Sequence, residues 1–203
     1  MKLHLSRHSI EKQKKRYLVF ISIILLFVVL GFFFYFIISD SNKELVSKTQ
    51  MDFFNSIFNN NINYLSSFIN SFISNFIYVF LIFILGYSLI GFVFVLLIII
   101  FKSFVLGFSI SSIIGTYGLK GILLSLLYVF PHQILYLVCI LLISYYSCSF
   151  CFKLYRYIFK KSIINFKKLK ERYIKIFLIC LFVSLLCSLY EVFIMSKLIV
   201  MLV

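Results

Sequence analysis

Charge is scarce in this chain. Only 13% of its 203 residues are Asp, Glu, Lys or Arg, and just six are acidic, where a soluble domain carries about 25% charged residues. So little charge cannot cover a water-facing surface, which excludes a soluble enzyme, a disordered chain and a nucleic-acid-binding domain. Histidine is confined to His4, His8 and His132. No HExxH, Gly-rich phosphate loop or Ser/His/Asp grouping occurs, so no catalytic, metal-binding or cofactor-binding set is expected. The five cysteines, Cys139, Cys148, Cys151, Cys180 and Cys187, are odd in number and sit in or beside apolar segments. They define neither a disulfide framework nor a redox compartment. Cys148-Ser149-Phe150-Cys151 is a lone CxxC without a second Cys or His pair. It reads as membrane packing rather than a zinc site, with redox or acylation chemistry as the alternative.

What is present is apolar: 63% hydrophobic and 20% aromatic residues, with a mean hydropathy of +1.10. The expected fold is all-α, a polytopic transmembrane helix bundle. Tyr17–Ile38 is uncharged over 22 residues, about 33 Å as helix, enough to cross a core of ~30 Å. It exceeds the apolar region of a signal peptide and ends in Phe32-Phe33-Phe34-Tyr35-Phe36, with no cleavage site. Further uncharged runs cover Phe76–Phe101, Ser103–Leu119 and Gly121–Phe152. The last spans 32 residues, too long for one upright helix, and Pro131 supplies a break. Ile176–Met195 is the final apolar run. These give five expected spans within a single membrane domain, residues 17–203.

Basic residues sit in two blocks. Residues 1–16 carry six, against Glu11, and residues 153–175 carry nine, against Glu171. The 39–75 segment has Lys43 and Lys48 against Asp40, Glu44 and Asp52. The positive-inside rule puts the basic tail and the basic loop in the cytoplasm, and 39–75 outside. Within 39–75, Phe54, Phe58, Ile62, Leu65, Ile69, Phe72 and Phe76 recur every three or four residues and predict one external amphipathic helix. Its opposite face carries Asn59, Asn63, Ser67 and Asn70, among other Asn and Ser. This helix reads as a spacer into the second span, with partner docking on the polar face as the alternative.

Small and polar residues mark the middle. Gly86, Gly91, Gly107, Gly115, Gly118 and Gly121 point to close helix packing. The alternative is a broken-helix substrate site of the transporter kind. Lys102 and Lys120 bracket the expected third span and are assigned to membrane edges by snorkelling, as is Glu191 near the end of the last. His132 and Gln133 follow Pro131. They would satisfy carbonyls freed by the break, or form a polar site open to the outside.

The same region resembles a known family, the stage II sporulation protein M family of integral membrane proteins. The resemblance rests on Phe83-Ile84-Leu85-Gly86-Tyr87-Ser88-Leu89-Ile90-Gly91 and Phe101-Lys102-Ser103-Phe104-Val105-Leu106-Gly107-Phe108. It continues from Tyr117-Gly118-Leu119-Lys120-Gly121 to Pro131-His132-Gln133, and takes in Tyr190-Glu191-Val192-Phe193. In distant members the proline motif reads Pro-His-Gly, with an acidic residue five positions after the proline. Gln133 and Tyr136 stand at those places here, so that acidic group's role does not carry over. The resemblance implies a non-enzymatic scaffold at the sporulation septum of the cell membrane. There it would anchor peptidoglycan-degrading partners resembling stage II sporulation proteins D and P during forespore engulfment. A small-solute transporter or channel component is the rival reading. The abundance of Phe, Ile, Asn, Lys and Tyr, with no Trp, points to an AT-rich genome.

Overall fold

Lipid offers no hydrogen bonds, so a chain this apolar must satisfy its backbone internally. The computed structural model describes residues 7–59, 63–160 and 166–198, and these are helical almost throughout. The helices are α1 (Arg7–Ile37), α2 (Asp40–Phe58), α3 (Tyr64–Leu85), α4 (Gly91–Tyr117), α5 (Leu119–Tyr128), α6 (Phe130–Lys160) and α7 (Phe166–Leu189). A π-helical segment, Tyr190–Met195, extends α7. Five stretches are long and apolar enough to cross a membrane: Tyr17–Ile37, Tyr64–Leu85, Gly91–Tyr117, Phe130–Phe159 and Phe166–Leu198. The protein is a transmembrane helix bundle with five candidate spans.

The spans are divided differently from the sequence expectation at three places. The stripe from Phe54 to Phe76 is not one helix. Asn59 closes α2, its N–H donating to the Asn55 carbonyl, and the Asn63 side chain caps α3 by accepting from the Ser66 N–H at 3.3 Å. The second crossing therefore starts at Tyr64 rather than Phe76, and Ile62 lies outside the described residues. Next, the Phe76–Phe101 run breaks at 86–90, and α4 passes straight through Lys102 to Tyr117. Ser103–Leu119 thus supplies the C-terminal part of α4. A lysine is a good helix former and ends nothing by itself. Gly91 allows the turn, because a methyl group there would fall on the Leu85 carbonyl. Finally, the break near Pro131 falls at Val129. Pro131 occupies the first turn of α6, where an N–H would have no intrahelical partner in any case. A second break precedes it at Gly118, whose φ of +60° favours glycine.

The basic segments are also more helical than expected. α1 begins at Arg7, α6 runs to Lys160 and α7 starts at Phe166. Lys2, His4 and Lys161, and the tail beyond Leu198, lie outside the described residues.

Packing explains the small residues. On α4, Gly91, Val95, Ile99, Ser103, Gly107 and Ser111 are all buried, one every fourth position. Such a stripe suits helix association in lipid, where close van der Waals contact replaces the hydrophobic drive. α1 crosses α4 backbone to backbone. A methyl at Gly107 would strike the Val28 carbonyl, and one at Gly31 the Phe104 carbonyl. α6 is the central helix, with 56% of its apolar window buried against 11% for α1. Around it Val79, Ile82, Val95, Ile99, Tyr136, Ile140 and Ile143 form the main core. A smaller cluster, Phe54, Ile57, Ile113, Leu124 and Val129, fastens α2 to α4 and α5. Gln50 reinforces it, donating to Ser112 Oγ at 2.5 Å and accepting from Thr116 Oγ1 at 3.0 Å.

Candidate functional site

Two ends of the bundle carry polar chemistry, and they differ in kind. At the first, α3 stops inside the bundle, where the last carbonyls of a helix have spare acceptor capacity. Neighbouring helices supply the donors. Ser147 Oγ donates to the Ile82 carbonyl at 3.0 Å, and Tyr173 OH to those of Ile82 and Phe83 at 3.2 and 3.0 Å. Cys151 Sγ donates to the Gly86 carbonyl at 3.3 Å. Gly86 leaves room for this arrangement, since a methyl there would meet the Tyr173 hydroxyl. All five cysteines are buried and free. This end is structurally satisfied.

The opposite end holds the candidate site. Four helices and the π segment converge on Lys102 of α4 and Glu191. Glu191 Oε2 accepts from Ser71 at 2.5 Å, and Oε1 accepts from Tyr128 OH at 3.2 Å. His132 Nε2 stands 3.8 Å from Glu191 Oε2, beyond hydrogen-bond length. His132 is 2% exposed, and neither ring nitrogen has a hydrogen-bond partner among the described residues. The Lys102 ammonium lies 4.1 Å from the Tyr78 ring centre and 5.2 Å from that of Tyr136. Cation–π contacts of this kind hold a desolvated ammonium without neutralising it. Tyr136 is fixed by its hydroxyl, which donates to the Asn75 carbonyl at 2.7 Å. Asn75 Nδ2 in turn donates to Ser188 Oγ at 3.1 Å.

Two cavities flank this cluster, of about 500 and 370 Å³. Both are lined by Phe53, Lys102, Tyr128, Gln133 and Glu191. The larger runs along the polar face of α3, past Asn63, Ser67 and Asn70, and the smaller reaches Gln50 and His132. Sharing these five lining residues, the two make one cleft at the cluster. The volumes suit a small-molecule pocket.

The expected site residues are therefore redistributed. Lys102 does not sit at a span end: it is about 17 Å into α4 along the helix axis. Glu191 does not snorkel outward but turns into the bundle, where the π segment alters the register of α7. Gln133 joins them, as does His132. Asn63, Ser67 and Asn70 line the cleft, whereas Asn59 is exposed at the end of α2. Lys120 is exposed on the first turn of α5, away from the cleft. Gly107, Gly115 and Gly121 sit at helix contacts, Gly115 against the Tyr35 ring and Gly121 against the Ile113 carbonyl. Gly118 has open space around it. Asn75, Tyr78, Tyr128 and Tyr136 were not expected in the site. The Asn/Ser periodicity of α3 does continue to Asn75 and Tyr78, and was a legible signal for those two.

Among the described residues no group of His, Cys, Asp or Glu could hold a metal ion. A family model described as Stage II sporulation protein M matches residues 21–196. Among curated proteins and solved structures, nothing matches the chain.

Proposed function

Since the chain belongs to the stage II sporulation protein M family, we propose that it is a non-enzymatic scaffold. Its role is to recruit peptidoglycan-degrading enzymes resembling stage II sporulation proteins D and P to the sporulation septum. The basic N-terminal tail and the 153–175 segment favour the cytoplasm, and five crossings then direct α2, the cleft and the C-terminus outward, toward the wall.

The observation that carries the reading is the docked state of α2. One face of α2 is committed to the bundle through Gln50, Phe54 and Ile57. The other, with Ser41, Glu44, Leu45, Lys48, Asp52 and Asn55, is exposed along its whole length. A helix anchored on one side and bearing mixed charge on the other is a rigid surface for a partner of complementary charge. This docking face is on α2, and replaces Asn63, Ser67 and Asn70, which line the cleft.

A second reading, a small-solute transporter or channel component, is favoured by the polar cleft among the spans. Pull-down of the tagged protein from sporulating cells tests the scaffold. Co-purification of wall hydrolases supports it. Their absence, combined with solute flux in reconstituted vesicles, favours transport.

A further inference from the structure

Lys102 and Glu191 line the same cavity, yet they form no ion pair. The basic group within 4 Å of Glu191 is His132, not Lys102. The Lys102 ammonium offers three N–H donors. Its contacts are two aromatic faces, with no hydrogen-bond acceptor among the described residues. Glu191 uses one acceptor position on each oxygen, for Ser71 and Tyr128, and a carboxylate has about four. One cation and one anion thus face shared space with bonding capacity unspent. Charge within membrane-spanning helices is costly, and such residues mark ligand sites.

The buried His132, with neither ring nitrogen in a hydrogen bond, lines the smaller cavity beside them. Asn70, Ser71 and Ser74 add neutral donors and acceptors along the larger one. From this arrangement we infer that the cleft binds a small zwitterion, its acidic oxyanion on Lys102 and its ammonium on Glu191. A ligand with a single charge would leave one wall uncompensated, whereas a zwitterion matches the pair and adds no net charge. Two sources share this chemistry: a free amino acid or short peptide, and the phosphoethanolamine headgroup of a membrane lipid. The inference goes beyond the scaffold reading and does not depend on it.

The test uses the full chain in nanodiscs of phosphatidylglycerol alone, titrated calorimetrically with L-alanine and L-alanyl-L-alanine. Saturable binding is expected for at least one of them. It should weaken at least tenfold for the N-acetyl and methyl ester derivatives of that compound, each of which removes one charge. Lys102→Met and Glu191→Gln should weaken it similarly, while Lys120→Met, outside the cleft, should not. The derivative comparison needs only wild-type protein, so it holds even if a variant fails to fold. Repeating the titration in discs containing phosphatidylethanolamine separates the sources. Weakened peptide binding, with that lipid retained by native mass spectrometry, assigns the headgroup, and unchanged binding assigns the free ligand. Singly charged derivatives binding as well as the parent would overturn the inference. So would an absence of saturable binding together with no selective retention of phosphatidylethanolamine.

Discussion

Replacing Gly107 by alanine adds one methyl group at the point where α1 and α4 touch through their backbones. The new Cβ would fall on the Val28 carbonyl oxygen, with the Val28 carbonyl carbon 2.8 Å and the Phe32 nitrogen 2.9 Å away. These obstacles are main-chain atoms of a helix, so no side-chain rotation relieves the clash and α1 must move as a body. Overpacking of this kind costs about 1–3 kcal/mol, and more where the contact replaces most of the attraction between helices in lipid. Gly31→Ala meets the Phe104 carbonyl at the same crossing. Both methyls push the same two helices apart, so a shift that admits one partly admits the other. The double variant should therefore lose less than the sum of the singles, by about 0.5 kcal/mol or more. Reversible unfolding in mixed micelles measures all three. Leucine at Gly86, Gly91 or Gly107 should go further and reduce the accumulation of folded protein. Wild-type stability of Gly107→Ala, or strict additivity of the pair, would refute the close crossing.

Three other experiments probe separate parts of the structure. Tyr173→Phe removes the hydroxyl that bonds the Ile82 and Phe83 carbonyls and should destabilise by about 1–3 kcal/mol, read as a lower unfolding midpoint; no change would show that Ser147 and Cys151 suffice at that helix end. Lys102→Met replaces an ammonium that has no carboxylate within 4 Å by an apolar chain of similar length. It should leave thermal stability in detergent unchanged or raised, and a marked loss would mean the ammonium is structural. For topology, single cysteines at Asn59 and Lys168, in a background lacking the native five, are exposed in intact cells to an impermeant thiol reagent. Asn59 should label and Lys168 should not; the reverse would invert the orientation.

The five apolar crossings were legible because hydropathy is a property of the segment itself. Their boundaries were not, because a charge reads as an end wherever the partner helices are unknown. Lys102 continues α4 since Tyr78 from α3 and Tyr136 from α6 receive its ammonium, a fact of tertiary structure. Glu191 misled for the same reason: its distance along a helix suggested an interface, while Ser71 and Tyr128 hold it within the bundle. The glycines of the middle were visible as a cluster. Gly31, embedded in a Phe-rich run, was not, since only the approach of α4 gives it meaning. The Asn/Ser stripe of α3 was read correctly as a face, but what that face meets depends on α2, α5 and the π segment.

Recruitment at the septum tests the scaffold most directly. Glu44 and Asp52 both lie on the exposed face of α2 and away from its packed side. Converting both to lysine leaves the buried contacts of Gln50, Phe54 and Ile57 intact while reversing the local charge. The measurement is the position of a fluorescently tagged wall hydrolase in sporulating cells carrying the double variant, with His132→Ala as the comparison inside the cleft. The scaffold account predicts hydrolase dispersed from the septum in Glu44→Lys/Asp52→Lys cells with normal membrane levels of the variant, and hydrolase retained with His132→Ala. Normal recruitment by the double variant, with loss of recruitment in His132→Ala, would contradict docking on α2 and move the functional surface into the cleft.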